Sequence, residues 1–245
     1  MSEHVIDQYM DQLAANIAAV RANIEHAAER AHRSPDEITL IAVSKTKPVE
    51  MVQAAYQLGM TDFGENRVQE ALPKLEAFHP QGLRWHMIGH VQTNKANKVA
   101  VSFDSVHSVD SLHLAQALER HAASQERRLP VLLQINVAEE ASKEGMTQQE
   151  APELARQIAQ LPHLAIQGLM TIAPIAHDLE EVRPVFRALR ELRDQLRDML
   201  PDCSWDQLSM GMTDDYTVAI EEGATMVRIG RAIFGERPQK ELEKK

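Results

Sequence analysis

Short apolar segments alternate with helical segments along almost the whole chain, and this alternation limits the possible folds more than any other feature of the sequence. Two of the segments, Ile38–Val43 and Val131–Ile135, are apolar at nearly every position, which is typical of strands covered on both faces of a parallel sheet. The sequence predicts eight strands: Ile38–Ser44, Asp62–Gly64, Leu83–Gly89, Phe103–Val109, Pro130–Val137, Leu164–Ile172, Trp205–Gly211 and Met226–Ile229.

Segments with helical periodicity lie between these strands: Val49–Leu58, Arg67–Phe78, Ser111–Ala123, Gln148–Leu161 and Glu181–Leu200. An amphipathic helix over residues 3–31 is predicted to precede the first strand. Eight β/α units without a Pro/Gly/Ser-rich linker predict an α/β fold, a single (β/α)8 TIM barrel domain over residues 1–235, with a polar tail over residues 236–245. A doubly wound open sheet is the alternative, but Ser44–Pro48 lacks the glycines expected after its first strand.

Charge and composition exclude several classes of protein. The 245 residues include 26 Lys and Arg against 36 Asp and Glu, and the net charge of −10 argues against nonspecific binding to nucleic acid. No apolar run reaches the ~18–20 residues of a membrane span, and the acidic start of the chain does not resemble an export signal. Cys203 is the lone cysteine and is predicted to be structural. The expected location is the cytoplasm.

Lys45 directly follows the first predicted strand, where a barrel of this kind places its functional side chains. Desolvation and nearby positive charge lower the pKa of such an amine, and the neutral amine can attack a carbonyl to form a Schiff base. The alternative is a lysine that merely emerges from the end of a strand. Lys47, two residues further, is predicted to be a solvated loop residue.

Two later segments have the pattern of an anion site. Ser209, Gly211 and Thr213 end the seventh strand, and a predicted helix over residues 214–222 follows. The segment from Arg228 to Arg231, with Gly230 between them, repeats this arrangement after the eighth strand. Helix N-termini present unpaired amides, and barrels often bind phosphate at these positions, although a glycine after a strand can also be a simple turn.

A lysine for an aldehyde and a cradle for a phosphate together indicate pyridoxal 5′-phosphate. Arg228 is the candidate partner of its pyridine nitrogen, and a salt bridge is the alternative role. Arginine stays protonated, so it would donate to an unprotonated ring nitrogen and leave the ring a weak electron sink. An arginine at this position therefore favours a protein that holds the cofactor without turnover, or one that catalyses a limited reaction such as racemisation.

At these residues the sequence resembles the pyridoxal phosphate homeostasis proteins, a family related to the N-terminal barrel of alanine racemase. The matching segments are Ile41–Pro48, Phe63–Asn66, Trp85–Gly89, Gln134–Val137, Gly168–Thr171, Leu208–Met212 and Val227–Gly230. The resemblance implies that Lys45 is linked to the cofactor, that Arg228 faces the pyridine nitrogen, that Ser209 and the Gly230 loop hold phosphate, and that Asn66 lines the ring pocket.

Met170 and Gly211 complete the set of expected cofactor-binding residues. The chain departs from the family at Arg231, where many relatives have a hydroxyl, and at Thr213, where serine is frequent. Arg231 either gives the phosphate a charged hydrogen bond or points away from it.

The resemblance implies a protein that buffers or delivers pyridoxal phosphate, without catalytic turnover and with transient contacts to pyridoxal phosphate-dependent apoenzymes. Few residues follow Phe234, so the dimer-building domain of the racemases is expected to be missing and the protein to be a monomer. Tyr216 is the one tyrosine that could replace the racemase base. The alternatives are an amino-acid racemase and an aldolase that uses a lysine Schiff base.

Other site types receive less support. His86 and His90 lie at a strand end without the helical context of a zinc site, so no metal is expected. His90 and His107 are predicted to line the mouth of the pocket. The polar loop Glu139–Met146 either gates the pocket, with Lys143 able to contact a passing aldehyde, or is simply solvated.

Overall fold

The structure, a computed structural model, describes residues 2–138, 144–176 and 178–236. Within these residues, parallel strands close into an eight-stranded barrel in chain order. The strands are β1 Thr39–Val43, β2 Asp62–Glu65, β3 Arg84–Met87, β4 Ser105–Val109, β5 Leu129–Gln134, β6 Leu164–Met170, β7 Gln207–Ser209 and β8 Met226–Ile229. Each predicted strand overlaps one of these, and the (β/α)8 barrel is confirmed, whereas the open sheet is wrong because β1 pairs with β8.

Helices surround the barrel. They are α1 Ser2–Arg30, α2 Val49–Gln57, α3 Val68–Ala77, α4 Ala96–Ser102, α5 Leu112–Ala123, α6 Ala151–Ala159, α7 Arg183–Met199, α8 Tyr216–Glu221 and α9 Arg231–Phe234. Short 3-10 turns lie at Pro35–Glu37, Thr93–Lys95 and Leu179–Glu181. None of the helices in the described part of the chain has both the length and the apolar character that a bilayer crossing requires.

The N-terminal helix α1 packs on the outside of the barrel against α2, α8 and α9. Its buried positions Leu13, Ile17, Val20 and Ile24 recur at spacings of three and four residues, so one face of the helix is apolar. Asn16 on the same helix donates a hydrogen bond to a carbonyl of α9 at 2.8 Å. The helix thereby supports the last βα unit, which carries part of the site described below.

The end of the chain is described only as far as Glu236, so the predicted polar tail lies almost entirely outside the described residues. The same holds for residues 139–143, which include Lys143 and most of the proposed gating loop.

Candidate functional site

A cleft opens where the strands end. We call it the Lys45 cleft. The residues that line it are Val43, Lys45, Thr46, Lys47, Asn66, Ile88, Ile172, Met212, Thr213, Asp214, Arg228, Gly230, Arg231 and Gly235. They follow or end β1, β2, β3, β6, β7 and β8, because parallel strands in a barrel all present their carboxyl ends at one face.

The cleft brings together five of the eight predicted site residues, namely Lys45, Asn66, Arg228, Gly230 and Arg231. The other three, Met170, Ser209 and Gly211, do not line it. Met170 and Ser209 are fully buried inside the barrel. Gly211 forms the turn behind the cleft wall, where Tyr216 and Ala219 leave no room for a Cβ.

Lys45 lies at the start of the first βα loop, directly after the fully buried Ser44. The next residue, Thr46, has a φ of +65°, a left-handed conformation that β-branched residues rarely adopt. The turn that this conformation produces keeps both lysines of the loop, Lys45 and Lys47, on the cleft wall.

Lys47 is not the solvated residue that the sequence predicts. Its Nζ donates hydrogen bonds to the carbonyls of Phe234, Gly235 and Glu236 at 2.8, 3.2 and 3.0 Å. Burial lowers the pKa of this amine, while Glu236 raises it. The carbonyls at the end of a helix lack partners within the helix, which is why a cation from another loop binds there. The contact ties the end of α9 to the loop that carries Lys45.

Arg228 projects from β8 and is buried, yet it borders the cleft. Its Nη1 donates to the Ser209 hydroxyl at 2.6 Å, and its Nη2 donates to the Thr171 carbonyl at 2.8 Å. These partners are neutral, so the alternative of a salt bridge does not describe its hydrogen bonds. Burial lowers the pKa of Arg228 to about 10, with Asp215 opposing this shift, and the guanidinium therefore remains a cation near neutral pH.

Asn66 directly follows β2 and contributes to the opposite wall of the cleft. Its side-chain Oδ1 is buried and accepts no hydrogen bond from the described residues. Buried polar atoms usually have a partner, so this oxygen is an acceptor that a bound donor would satisfy.

The loop after β7 forms the third wall. The Asp215 carboxylate accepts a hydrogen bond from the Met212 amide at 2.6 Å, which folds the loop back on itself. Burial raises the pKa of Asp215, and the backbone hydrogen bond from Met212 partly opposes this. The Thr213 side chain and the Asp214 carboxylate remain on the cleft wall.

Arg231 begins α9 and forms an ion pair with Asp214 across the cleft wall. Its side chain is half exposed, so it is held by a neighbouring carboxylate and still borders the cleft. The sequence suggests that Arg231 either binds the phosphate or points away from it. In the structure its guanidinium is paired with the Asp214 carboxylate. An incoming phosphate would compete with Asp214 for it.

Below the cleft, Ser209 lies between Arg228 and the imidazole of His107, whose Nδ1 is 2.9 Å from the Ser209 oxygen. The prediction that His107 lines the mouth of the pocket is wrong, because this imidazole is fully buried inside the barrel. His90 lies on the surface near Asp110 and Glu144, at 3.1 and 3.0 Å, and does not line the cleft.

Two contacts of the site differ from the sequence prediction: Lys47 binds backbone carbonyls instead of lying in solvent, and the Asp214 carboxylate holds Arg231. Both depend on which loops meet at the barrel mouth, and a single sequence gives no signal for the distance between such loops.

Comparisons with known proteins show the family to which the chain belongs. Residues 15–238 match the family described as alanine racemase, N-terminal domain. A pyridoxal phosphate homeostasis protein from Pasteurella multocida is 46% identical over 224 residues, which are 91% of this chain and 96% of that protein. The solved structure of PipY from Synechococcus elongatus with pyridoxal phosphate bound is 36% identical, has a TM-score of 0.81, and covers 91% of this chain and 100% of that one.

Alanine racemase from Corynebacterium glutamicum is similar in fold alone, at 18% identity and a TM-score of 0.70. The match covers 96% of this chain but 63% of the racemase.

Proposed function

This chain belongs to the family of pyridoxal phosphate homeostasis proteins, and on that premise we propose that it binds pyridoxal 5′-phosphate in the Lys45 cleft. The observation that carries the proposal is the meeting of three different groups in one cleft: the Lys45 amine, the buried guanidinium of Arg228 and the unsatisfied amide oxygen of Asn66. These groups suit an aldehyde, a ring nitrogen and a ring hydroxyl, respectively.

The bound cofactor would supply an aldehyde and a ring that can withdraw electrons. Lys45 would attack the aldehyde carbon through its neutral amine, and the aldehyde oxygen would leave as water. Arg228 can only donate hydrogen bonds, so it would leave the ring nitrogen unprotonated. A ring in that state withdraws electrons weakly, which favours holding the cofactor over turning substrates over.

For the phosphate, we assign the wall formed by Thr213, Gly230 and Arg231. Ser209 was expected to hold phosphate, but its hydroxyl is buried between Arg228 and His107. We therefore assign Ser209 a supporting role under Arg228, and the Thr213 hydroxyl takes its place at the phosphate. Met170 supports the same region from the barrel interior, and Gly211 shapes the turn behind it.

The proposed role is the buffering and delivery of pyridoxal phosphate, without catalytic turnover, to apoenzymes that require it. Tyr216, the tyrosine considered as a racemase base, is buried at the start of α8, and the described residues that line the cleft include no tyrosine. A monomer in the cytoplasm is the form that we expect to carry out this role.

Covalent labelling tests the proposal. The protein is incubated with pyridoxal phosphate, treated with borohydride and digested, and the modified lysine is located by mass spectrometry. We expect the adduct on Lys45 in the wild type and in Lys98→Ala, an exposed lysine on α4, and its loss from this site in Lys45→Ala. An unmodified Lys45 at saturating ligand would overturn the proposal.

The same preparation separates the alternatives. A protein that racemises alanine at ordinary enzymatic rates would be a racemase, and one that forms a reducible adduct only with sugar phosphates would be an aldolase. Delivery is tested by following cofactor transfer to an apoenzyme from the wild type and from Lys45→Ala. Equal transfer by both proteins would remove Lys45 from the delivery step.

A further inference from the structure

A chain of polar side chains within hydrogen-bonding distance of one another crosses the interior of the barrel below Arg228. We call it the Arg228 chain. It comprises Arg228, Ser209, His107, His86 and Asp62. From the cleft downward, the distances between successive polar atoms are 2.6, 2.9, 3.1 and 2.8 Å. All five residues are buried, and they belong to β8, β7, β4, β3 and β2.

The far end of the chain reaches the opposite mouth of the barrel. There the Asp62 carboxylate forms a two-point ion pair with Arg84, at 2.7 and 2.8 Å. A cavity at this mouth borders Asp62, His86 and His107. The chain therefore spans the barrel from the Lys45 cleft to the N-terminal ends of the strands.

The two ends of the chain fix the direction of its first and last hydrogen bonds. A guanidinium can only donate hydrogen bonds, and an ionised carboxylate can only accept them. If Arg228 donates to Ser209, the Ser209 hydroxyl is free to donate to Nδ1 of His107. His107 then holds its proton on Nε2 and donates to Nδ1 of His86, which in turn donates from Nε2 to Asp62. Each of the three middle residues donates once and accepts once along the chain.

The reverse direction fails at Ser209. If His107 held its proton on Nδ1, it would donate to the same oxygen that already accepts from Arg228, and the Ser209 hydroxyl would need another acceptor inside the barrel. The Ser105 hydroxyl also lies 2.7 Å from Nδ1 of His86, so in the first direction it shares the single lone pair of that nitrogen with His107. Burial holds the pKa of His107 well below its usual range, and the charge of Arg228 adds to the effect, which keeps this imidazole neutral.

We propose that Ser209 and His107 are positioning residues for Arg228, and that the one-way hydrogen bonds from Arg228 to Asp62 fix the guanidinium at the place where the cofactor's ring nitrogen would bind. This inference rests on the proposed function for the ligand, but the direction of the hydrogen bonds is a property of the protein alone. Losing the link to Ser209 would leave the guanidinium with the Thr171 carbonyl as its remaining hydrogen-bond partner among the described residues, so Arg228 could turn away from the ring nitrogen while Lys45 would be untouched.

The direction is tested first, without ligand. Nitrogen-15 NMR of the histidine side chains distinguishes the two neutral tautomers and the cation. We expect His107 to be neutral with its proton on Nε2 at neutral pH in the wild-type protein. A His107 that is cationic, or that holds its proton on Nδ1, would overturn the proposal whatever the protein binds.

Positioning is tested by the affinity for pyridoxal phosphate, measured by equilibrium dialysis. We expect Ser209→Ala and His107→Leu each to raise Kd roughly tenfold, the loss typical of a hydrogen bond to a charged group. The amide of His107→Gln can accept from Ser209 and donate to His86, so this variant should bind within roughly threefold of the wild type. His113→Gln, at an exposed position on α5, is the matched control.

The double variant Ser209→Ala/His107→Leu should bind about as weakly as either single variant, because both changes act through Arg228. Fully additive losses, or unchanged affinity in both single variants, would overturn the positioning role. If His107→Leu does not fold, the test compares Ser209→Ala with Ser209→Thr, which keeps the hydroxyl. Borohydride labelling of Lys45 is run alongside, since its failure in the wild type would refute the proposed function and leave the NMR result standing.

Discussion

The ammonium of Lys74 lies 2.7 Å from Oε1 of Glu65, and both side chains are almost completely buried. The same ammonium donates to the Ser44 carbonyl at 2.7 Å, and the Ser44 hydroxyl donates to the same Glu65 oxygen at 2.7 Å. Ser44 and Glu65 directly precede Lys45 and Asn66, so this ion pair fastens α3 to the two loops that provide opposite walls of the cleft.

Replacing Lys74 by methionine should destabilise the protein by about 3–5 kcal/mol, because it leaves the Glu65 carboxylate buried without its cation. The free energy of unfolding, measured by denaturant titration, checks this. The double variant Lys74→Met/Glu65→Gln should recover much of the loss, since glutamine is neutral and can still accept from Ser44. Lys98→Met on the surface of α4 is the control, and an equal loss in that variant would contradict the role of the ion pair.

The buried His107 and Asp62 make stability depend on pH. Burial holds the pKa of His107 well below its usual value. Burial alone would raise the pKa of Asp62, but hydrogen bonds from His86 and Arg84 outweigh it and hold that pKa well below its usual range. Both groups therefore bind fewer protons in the folded state than in the unfolded state, and stability falls as the pH falls.

The His107 contribution should be lost from about pH 6.5 downward, and the Asp62 contribution below about pH 4. We expect the free energy of unfolding to fall by about 1–2 kcal/mol more between pH 7 and pH 5 in the wild type than in His107→Gln. Denaturant titrations at both pH values measure this difference, with His113→Gln as the control. Identical pH dependence in wild type and His107→Gln would show that His107 is not held neutral.

The sequence predicts the barrel because its signal is local: each strand is an apolar run, and each loop begins with its own polar residues. Helix α4 was not predicted, since it is seven residues long and its buried face consists of Ala96, Val99 and Ala100. Lys74 reads as a solvent-facing residue of an amphipathic helix, and its partners Ser44 and Glu65 come from two other elements. The roles of Ser209 and His107 likewise depend on contacts between side chains of different strands, which the local pattern of the sequence does not reveal.

The turn at Gly211 should tolerate no side chain. Its φ is +89°, and an added Cβ would lie 2.7 Å from Cβ of Ala219 and 2.9 Å from Cα of Tyr216. Gly82 has almost the same φ, +85°, but open space around it. We expect Gly82→Ala to cost about 1 kcal/mol from backbone strain alone, and Gly211→Ala about 2–4 kcal/mol. Thermal and denaturant unfolding measure the loss of stability in each variant. Equal losses would show that Tyr216 and Ala219 shift to make room for the added methyl group.

Thr46 stores backbone strain next to Lys45, because its φ of +65° suits asparagine better than a β-branched residue. Thr46→Asn should therefore stabilise the protein by about 0.5–1 kcal/mol. Glu126→Asn, at a φ of +51° in an exposed loop far along the chain, is matched in conformation and should gain a similar amount. Denaturant titration compares the two variants. A loss of stability in Thr46→Asn alone would show that the threonine side chain holds the Lys45 loop through its own contacts, and that relief of strain does not compensate for losing them.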